Sequence, residues 1–283
     1  MNRLGAVVLG RNDGYGGNLE SRASFCLNSL ISTFDEVIYI DWGTVNNKTL
    51  PEEIRDNLIP NDKLKVFKIT PEEVSYFTNN DPHAQVCNEV LSRNIGIRHS
   101  ESDFIVSTAI DDVCPTRDYM DKLTDKDIFY IGSKKRIQLV DVERLGGYKD
   151  IVQVQNKLAE IPIPPPSYSG AYVGDEWSIV DSCGDFQFAS KELWYEVKGF
   201  EEFLLYRGFY DTNVQKKVIL SGKKVELRNE LPVYHIEHAG GFGGYGGINN
   251  REKAIANFQL PSKNKDTWGF SDYNFTILTM KDL

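Results

Sequence analysis

Two aspartates stand side by side in "AIDDV", at Asp111 and Asp112. Adjacent carboxylates repel, and a divalent cation with oxygen ligands relieves that repulsion. The same pair also suits a strand-to-helix turn, with acidic residues near the start of a helix that Pro115 opens. Far downstream, "PVYHIEHAGGFGGYGG" (232–247) carries His235 and His238, two of the four histidines of the chain. An imidazole nitrogen can join carboxylates around a cation. On a strand, a separation of three turns side chains to opposite faces, so one of the two histidines, not both, is expected at a single ion. A third candidate is Asp211, at a helix start after the aromatic-rich "GFEEFLLYRGFY". An aspartate there serves either as an N-cap or, beside an acceptor hydroxyl, as a general base.

The glycine-rich stretch after the histidines contains "GFGGYG" (241–246), which matches the dinucleotide pattern G-x-G-x-x-G. Only 37 residues follow Gly246, too few for the remaining strands of a dinucleotide-binding domain. A glycine loop that closes over a ligand fits better. Arg11 and Arg93 stand beside Asn12 and Asn94 in loop-like contexts, where contacts to phosphate or base are expected. Arg22 and Arg98 read as solvated positions on helix faces.

The elements that must position these residues follow an alternating pattern. "AVVLG" (6–10), "EVIYID" (36–41), "KLKVFKI" (63–69) and "DFIVSTAI" (103–110) read as strands. Leu19, Ala23, Leu27, Leu30 and Phe34 mark a helical face, and residues 84–100 a second helix. Alternation of this kind implies a largely parallel sheet in an α/β domain, with ligands beyond the carboxyl ends of its strands. Those ends are "GRND", "DWGT" and "IDD". In the second half, "DIFYIG" (127–132) and "IQLVDV" (137–142) are expected to pair as strands. The proline-rich residues 159–174 read as a loop, 190–197 and 211–222 as helices, and "KKVEL" and "LPVYHI" as strands. A single domain is expected, in which residues 1–115 form a nucleotide half and 116–283 an acceptor half over one sheet.

Composition narrows the partners. A net charge of −9 provides no global basic field for nucleic acid or anionic lipid, so any phosphate site must be local. Four cysteines without C-x-x-C spacing argue against a zinc site or a disulfide framework. No apolar run approaches ~18 residues, and the apolar segment near the N-terminus is too short for a signal peptide. These features point to a soluble, cytoplasmic protein with no transmembrane segment, compatible with peripheral attachment to a membrane.

Together the segments resemble inverting glycosyltransferases of the GT-A fold. "DWGT" (41–44) resembles the D-D-G-S element that holds the nucleobase in the large bacterial sugar-transferase family. "SRNIGIRHSESDFIVSTAIDD" (92–112) resembles that family's A-R-N-x-G segment and the acidic motif that follows it, with Ala109 where the family has its first acidic residue. "GDFQFASKELWYEVKGF" (184–200) is similar to a segment of the β-1,4-galactosyltransferase family. That family continues W-G-G-E-D-D-D where this chain reads "RGFYDTN" (207–213). Asp211 falls on the proposed catalytic aspartate, while Arg207 replaces the tryptophan and Tyr210 the glutamate. The family's metal-binding histidine is matched by His238, with His235 the alternative. "NKDTWGF" (264–270) resembles a closing element of related transferases.

The resemblance implies a nucleotide-diphospho-sugar transferase fold and a divalent metal, Mn²⁺ or Mg²⁺, held by Asp111, Asp112 and one of the two histidines. It implies a UDP-type donor near Arg11, Asn12, Asp41, Trp42 and Arg93. The acceptor, a glycan or glycoconjugate, is expected near Tyr206, Arg207 and Tyr210, with Asp211 as base. Two alternatives belong to other classes. One is a sugar- or nucleotide-binding protein that has lost turnover, favoured by Ala109 and Tyr210. The other is a nucleotidyltransferase, which also uses paired carboxylates in an α/β sheet.

Overall fold

The apolar runs at Leu4–Gly10 (β1) and Glu36–Trp42 (β2) are buried along their whole length, as strands covered on both faces must be. The structure, a computed structural model, describes residues 2–45, 48–161, 184–239, 250–257 and 262–283. The further strands are Leu64–Ile69 (β3), Phe104–Thr108 (β4), Asp112–Val113 (β5), Ile128–Ile137 (β6), Phe186–Ser190 (β7), Lys224–Ile236 (β8) and Thr276–Thr279 (β9). The helices are Leu19–Thr33 (α1), Leu50–Glu53 (α2), Pro71–Phe77 (α3), Glu89–His99 (α4), Arg117–Met120 (α5), Leu139–Leu145 (α6), Ile151–Ala159 (α7), Lys191–Glu196 (α8), Tyr210–Leu220 (α9) and Arg251–Ala256 (α10).

Among the described residues the strands form one sheet in the order β5-β8-β6-β7-β4-β1-β2-β3-β9, which joins both halves of the chain. Strands β4, β1, β2 and β3 are parallel, whereas β7 runs antiparallel to both β4 and β6. This reversal decides where the site lies. Phe186 at the start of β7 pairs with Thr108 at the end of β4, so the residues just before β7 reach the edge where β4 ends. Strand β8 runs parallel to β6 and brings His235 opposite Asp112 of β5.

Alternate side chains of β1 separate two cores. Leu4, Ala6 and Val8 pack with Ala23, Leu27 and Leu30 of α1, and Val7 and Leu9 with Leu91 and Ile95 of α4. Period-two alternation in the strand and helical spacing in α1 and α4 match these two faces. Helix α4 starts at Glu89, later than the run 84–100 suggested, because the Asn88 side chain accepts from Leu91 N at 2.9 Å and caps it there. The expected strand at 137–142 is not one. Ile137 ends β6, and Leu139, Val142 and Leu145 line one face of α6 against Ile151, Val154 and Leu158 of α7. A spacing of three in a short apolar run fits a helix as well as a strand, and burial against α7 decides it.

Cys26, Cys87 and Cys114 are free thiols. No helix among the described residues is long and apolar enough to cross a membrane. The expected loop of residues 159–174 lies outside the described residues from position 162 onward, and so does the glycine stretch Gly240–Gly247.

At Gly96 the backbone of α4 lies close against the sheet, since a Cβ there would run into Val7 of β1. Gly96→Ala should therefore lose about 1–3 kcal/mol of stability, the usual cost of overpacking, despite the better helix propensity of alanine. Denaturant unfolding of the two proteins checks this.

Candidate functional site

The carboxyl end of β4 turns through Ala109 and Ile110 into β5, placing Asp111 in the turn and Asp112 at the first position of β5. Asp112 is wholly buried. Its Oδ2 accepts from Thr108 Oγ1 and from the Ala109 backbone N–H, both at 3.3 Å, which turns Oδ1 towards His235 Nδ1 at 3.0 Å. Asp111 Oδ2 accepts from Arg22 Nη1 at 3.1 Å and lies 2.7 Å from His238 Nε2. His235 Nδ1 is also 3.4 Å from Asp111 Oδ1.

Both histidines thus meet the aspartate pair, against the expectation that only one would. The strand ends at Ile236, and beyond it the chain is free of the pleat, so His238 swings back beside His235 with ring centroids 5.4 Å apart. The Ala239 carbonyl accepts from His238 Nδ1 at 2.9 Å. That bond engages Nδ1 and leaves Nε2 as the ring atom that meets Asp111.

A residue absent from the sequence-based candidates completes the cluster. Asp185, just before β7, forms an ion pair with Lys134 of β6 and places Oδ2 4.0 Å from His235 Nδ1. The donor atoms of Asp111, His235 and His238 lie within 4.8 Å of one another, and so do those of Asp112, Asp185 and His235. Carboxylate oxygens with imidazole nitrogens are a donor set for a divalent cation such as Mn²⁺, and the residues present fit one. The electrostatics agree. Burial and then the neighbouring Asp185 push the Asp112 carboxyl up to about 6. Burial acts the same way on Asp111, but the His238 hydrogen bond and the charges of His235 and Arg22 outweigh it and hold that carboxyl below its usual range.

Arg22 was expected on a solvated face and is instead buried. Beyond Asp111 it donates to the carbonyls of Tyr15 and Gly17, fastening the loop after β1 to the aspartates. Arg93 was expected in a loop and lies inside α4, buried. It donates to Ser107 Oγ at 2.8 Å, to the Gly184 carbonyl at 3.1 Å and to Glu89 at 2.9 Å. It supports the backbone before β7 from beneath. Arg98 stacks on Tyr195 and Trp268.

Asp211 is the second residue of α9, not its cap, because Phe209 holds the cap position with φ 62°. Its Oδ1 accepts from Thr212 N at 2.9 Å. Gly184 leaves it room, since a Cβ there would come within 2.6 Å of Asp211 Oδ2. Burial pushes the Asp211 carboxyl up to about 6. Asp211 and Asp185 therefore flank the same short segment, one on each side of Gly184.

The expected nucleotide residues separate into two groups. Asp41, the last residue of β2 but one, lies opposite Gly10, accepts from Thr44 Oγ1 at 2.6 Å and keeps Oδ2 buried without a hydrogen-bond partner. Burial raises its carboxyl to about 6. Arg11 and Asn12 follow β1 at the same edge, with Asn12 N donating to Thr44 Oγ1 at 3.0 Å. The Trp42 side chain points instead into the core beside Phe77, a consequence of the pleat that turns Asp41 to the other side. Of the expected acceptor residues, Tyr206 donates its hydroxyl to Asp81 at 3.1 Å and the Arg207 carbonyl accepts from Asn250 N at 3.2 Å. Tyr210 is buried in the core beside Phe200, so its ring is unsuited to touching an acceptor.

Because the folded state holds the Asp211 proton up to about 6 and the unfolded chain releases it near 3.8, the native protein binds the extra proton between those values. Stability contributed by this group is therefore lost as pH rises from about 4 to 6. Asp211→Asn removes that loss. The variant should gain on the parent between pH 4 and pH 7 by about 2 kcal/mol, read from denaturant unfolding at the two pH values.

No protein-family model and no curated protein matches the chain. Solved structures do. GalNAc-T7, solved with UDP, GalNAc and Mn²⁺, is 13% identical with a TM-score of 0.57, covering 90% of this chain and 48% of its own. TarS of S. aureus, residues 1–349 with UDP, is 13% identical with a TM-score of 0.54, covering 94% and 68%. The mannosyltransferase PcManGT of Pyrobaculum calidifontis, with GDP-Man and Mn²⁺, is 14% identical with a TM-score of 0.51, covering 86% and 59%. The chain spans about half the length of the GalNAc-T7 chain and has the GT-A fold that these proteins share.

Proposed function

We propose that this protein is a metal-dependent, inverting glycosyltransferase that moves a sugar from a nucleoside diphosphate, of the UDP type, to a hydroxyl of a glycan or glycoconjugate. The observation that carries the proposal is the convergence of Asp111, Asp112, His235 and His238 at the edge of the sheet where β4 ends, with Asp211 packed on Gly184, the chain neighbour of Asp185. The crystallised ligands of the neighbouring folds, UDP, GDP-Man and Mn²⁺, support it.

In this proposal residues 1–115 serve the donor. The unpartnered Asp41 oxygen accepts from an N–H of the base, and Arg11 and Asn12 lie beside it at the end of β1. Residues 116–283 serve the acceptor. Asp111, Asp112 and His238, with His235 adjoining, would hold the cation. When bound, that cation neutralises negative charge on the diphosphate leaving group.

Asp211 takes the proton of the attacking hydroxyl. A carboxyl raised to about 6 is ionised at neutral pH yet more basic than an ordinary aspartate, which suits this role. The hydroxyl oxygen bonds to the anomeric carbon as the diphosphate oxygen leaves from the opposite side, which inverts the centre. Arg93 fixes the backbone at Gly184 and so the wall against which Asp211 rests. A binding protein without turnover would keep the donor contacts and lack the transfer.

Asp211→Asn should lower turnover by about 10²–10⁴ with donor binding nearly intact. Full transfer activity in that variant would leave Asp211 as packing only. Asp112→Ala should abolish turnover and weaken Mn²⁺-dependent binding of nucleotide, measured by calorimetry with a panel of nucleotide sugars. Chelator should do the same to the parent protein, and insensitivity to chelator would remove the metal from the mechanism.

A further inference from the structure

Position 109 carries alanine where the resembling family has an acidic residue. The Ala109 backbone N–H supports Asp112 Oδ2, so Asp112 Oδ1 is the oxygen that faces His235. Asp111 is more heavily committed, with one oxygen shared between Arg22 and His238. The open side of Asp112 and His235 is closed by Asp185, arriving from the antiparallel strand β7.

Donor atoms of one cation lie no farther apart than about twice the metal–ligand bond, ~4–5 Å. Those of Asp112, Asp185 and His235 meet that bound, lying within 4.8 Å of one another. We propose that Asp185 is a ligand of the cation, supplying from β7 the carboxylate that position 109 lacks, and that Lys134 competes with the cation for it. This rests on the metal-dependent function above and goes beyond it by adding a ligand from a different strand and naming its competitor.

The pairing with Lys134 gives the proposal opposite signs to test. Removing a ligand weakens cation binding, whereas removing a positive charge next to the ligand strengthens it. An ion pair that only holds β6 to β7 predicts neither. In the full chain without nucleotide, Mn²⁺ affinity is measured by calorimetry for the parent, Asp185→Asn and Lys134→Met, with melting temperatures in chelator as a check on folding. Asp185→Asn should lose at least ~10-fold in affinity. Lys134→Met should gain at least ~3-fold.

Unchanged affinity in a folded Asp185→Asn protein, or shifts of the same sign in both variants, overturns the assignment while leaving the metal-dependent function intact. Absence of Mn²⁺ binding by the parent overturns both. Should Asp185→Asn fail to fold, Lys134→Met decides alone, with raised affinity in favour and unchanged or lowered affinity against.

Discussion

Three carboxylates, the buried Asp111 and Asp112 and the partly exposed Asp185, crowd together at the end of β4, and their mutual repulsion is the constraint that the surroundings must satisfy. Carboxylates removed from water are costly unless each meets a positive charge or hydrogen-bond donors. Arg22 answers Asp111, Lys134 answers Asp185, and His235 answers Asp112. The balance is incomplete at Asp112, whose carboxyl is pushed up to about 6. A divalent cation would add two positive charges at the point of greatest deficit, and the donor atoms are placed close enough together to hold one.

The sheet sets this balance by reversing direction at one strand. Parallel β4 delivers the aspartate pair at its carboxyl end, and β7, running the other way, delivers Asp185 from its amino end to the same edge. Strand β8 adds His235 by pairing with β5, and the chain beyond it adds His238. Three separate segments therefore meet at one edge without any being close in sequence. Arg22 links a fourth, since its remaining donors hold the loop that follows β1.

Beneath the site a second polar layer does the positioning. Arg93 reaches from α4 to Ser107 on β4 and to the Gly184 carbonyl, and Gly184 in turn touches Asp211 at the start of α9. One buried guanidinium thus ties the strand that leads to the aspartates to the backbone at Gly184, between the Asp185 side of the cluster and Asp211. Its charge is met by Glu89 one helical turn earlier. Arginine suits this role because its planar fork offers several donors at fixed angles.

Much of this was legible in the sequence by itself. Continuous apolar runs at β1, β2 and β4 and the helical face of α1 gave an α/β sheet, and an aspartate pair at a strand end gave a candidate cation site. Those signals are local, and local periodicity carries them. What tertiary structure alone decided are contacts across long separations. The meeting of His235 and His238 depends on where β8 stops, and the burial of Arg22 and Arg93 depends on which partners the packing brings to them. Asp185 came to the cluster only through the antiparallel pairing of β7, and the helix at Leu139–Leu145 came from packing against α7. Direction of a strand, the partner of a charge and the end of a pleat are properties of the assembled sheet, and no window of sequence contains both sides of such a contact.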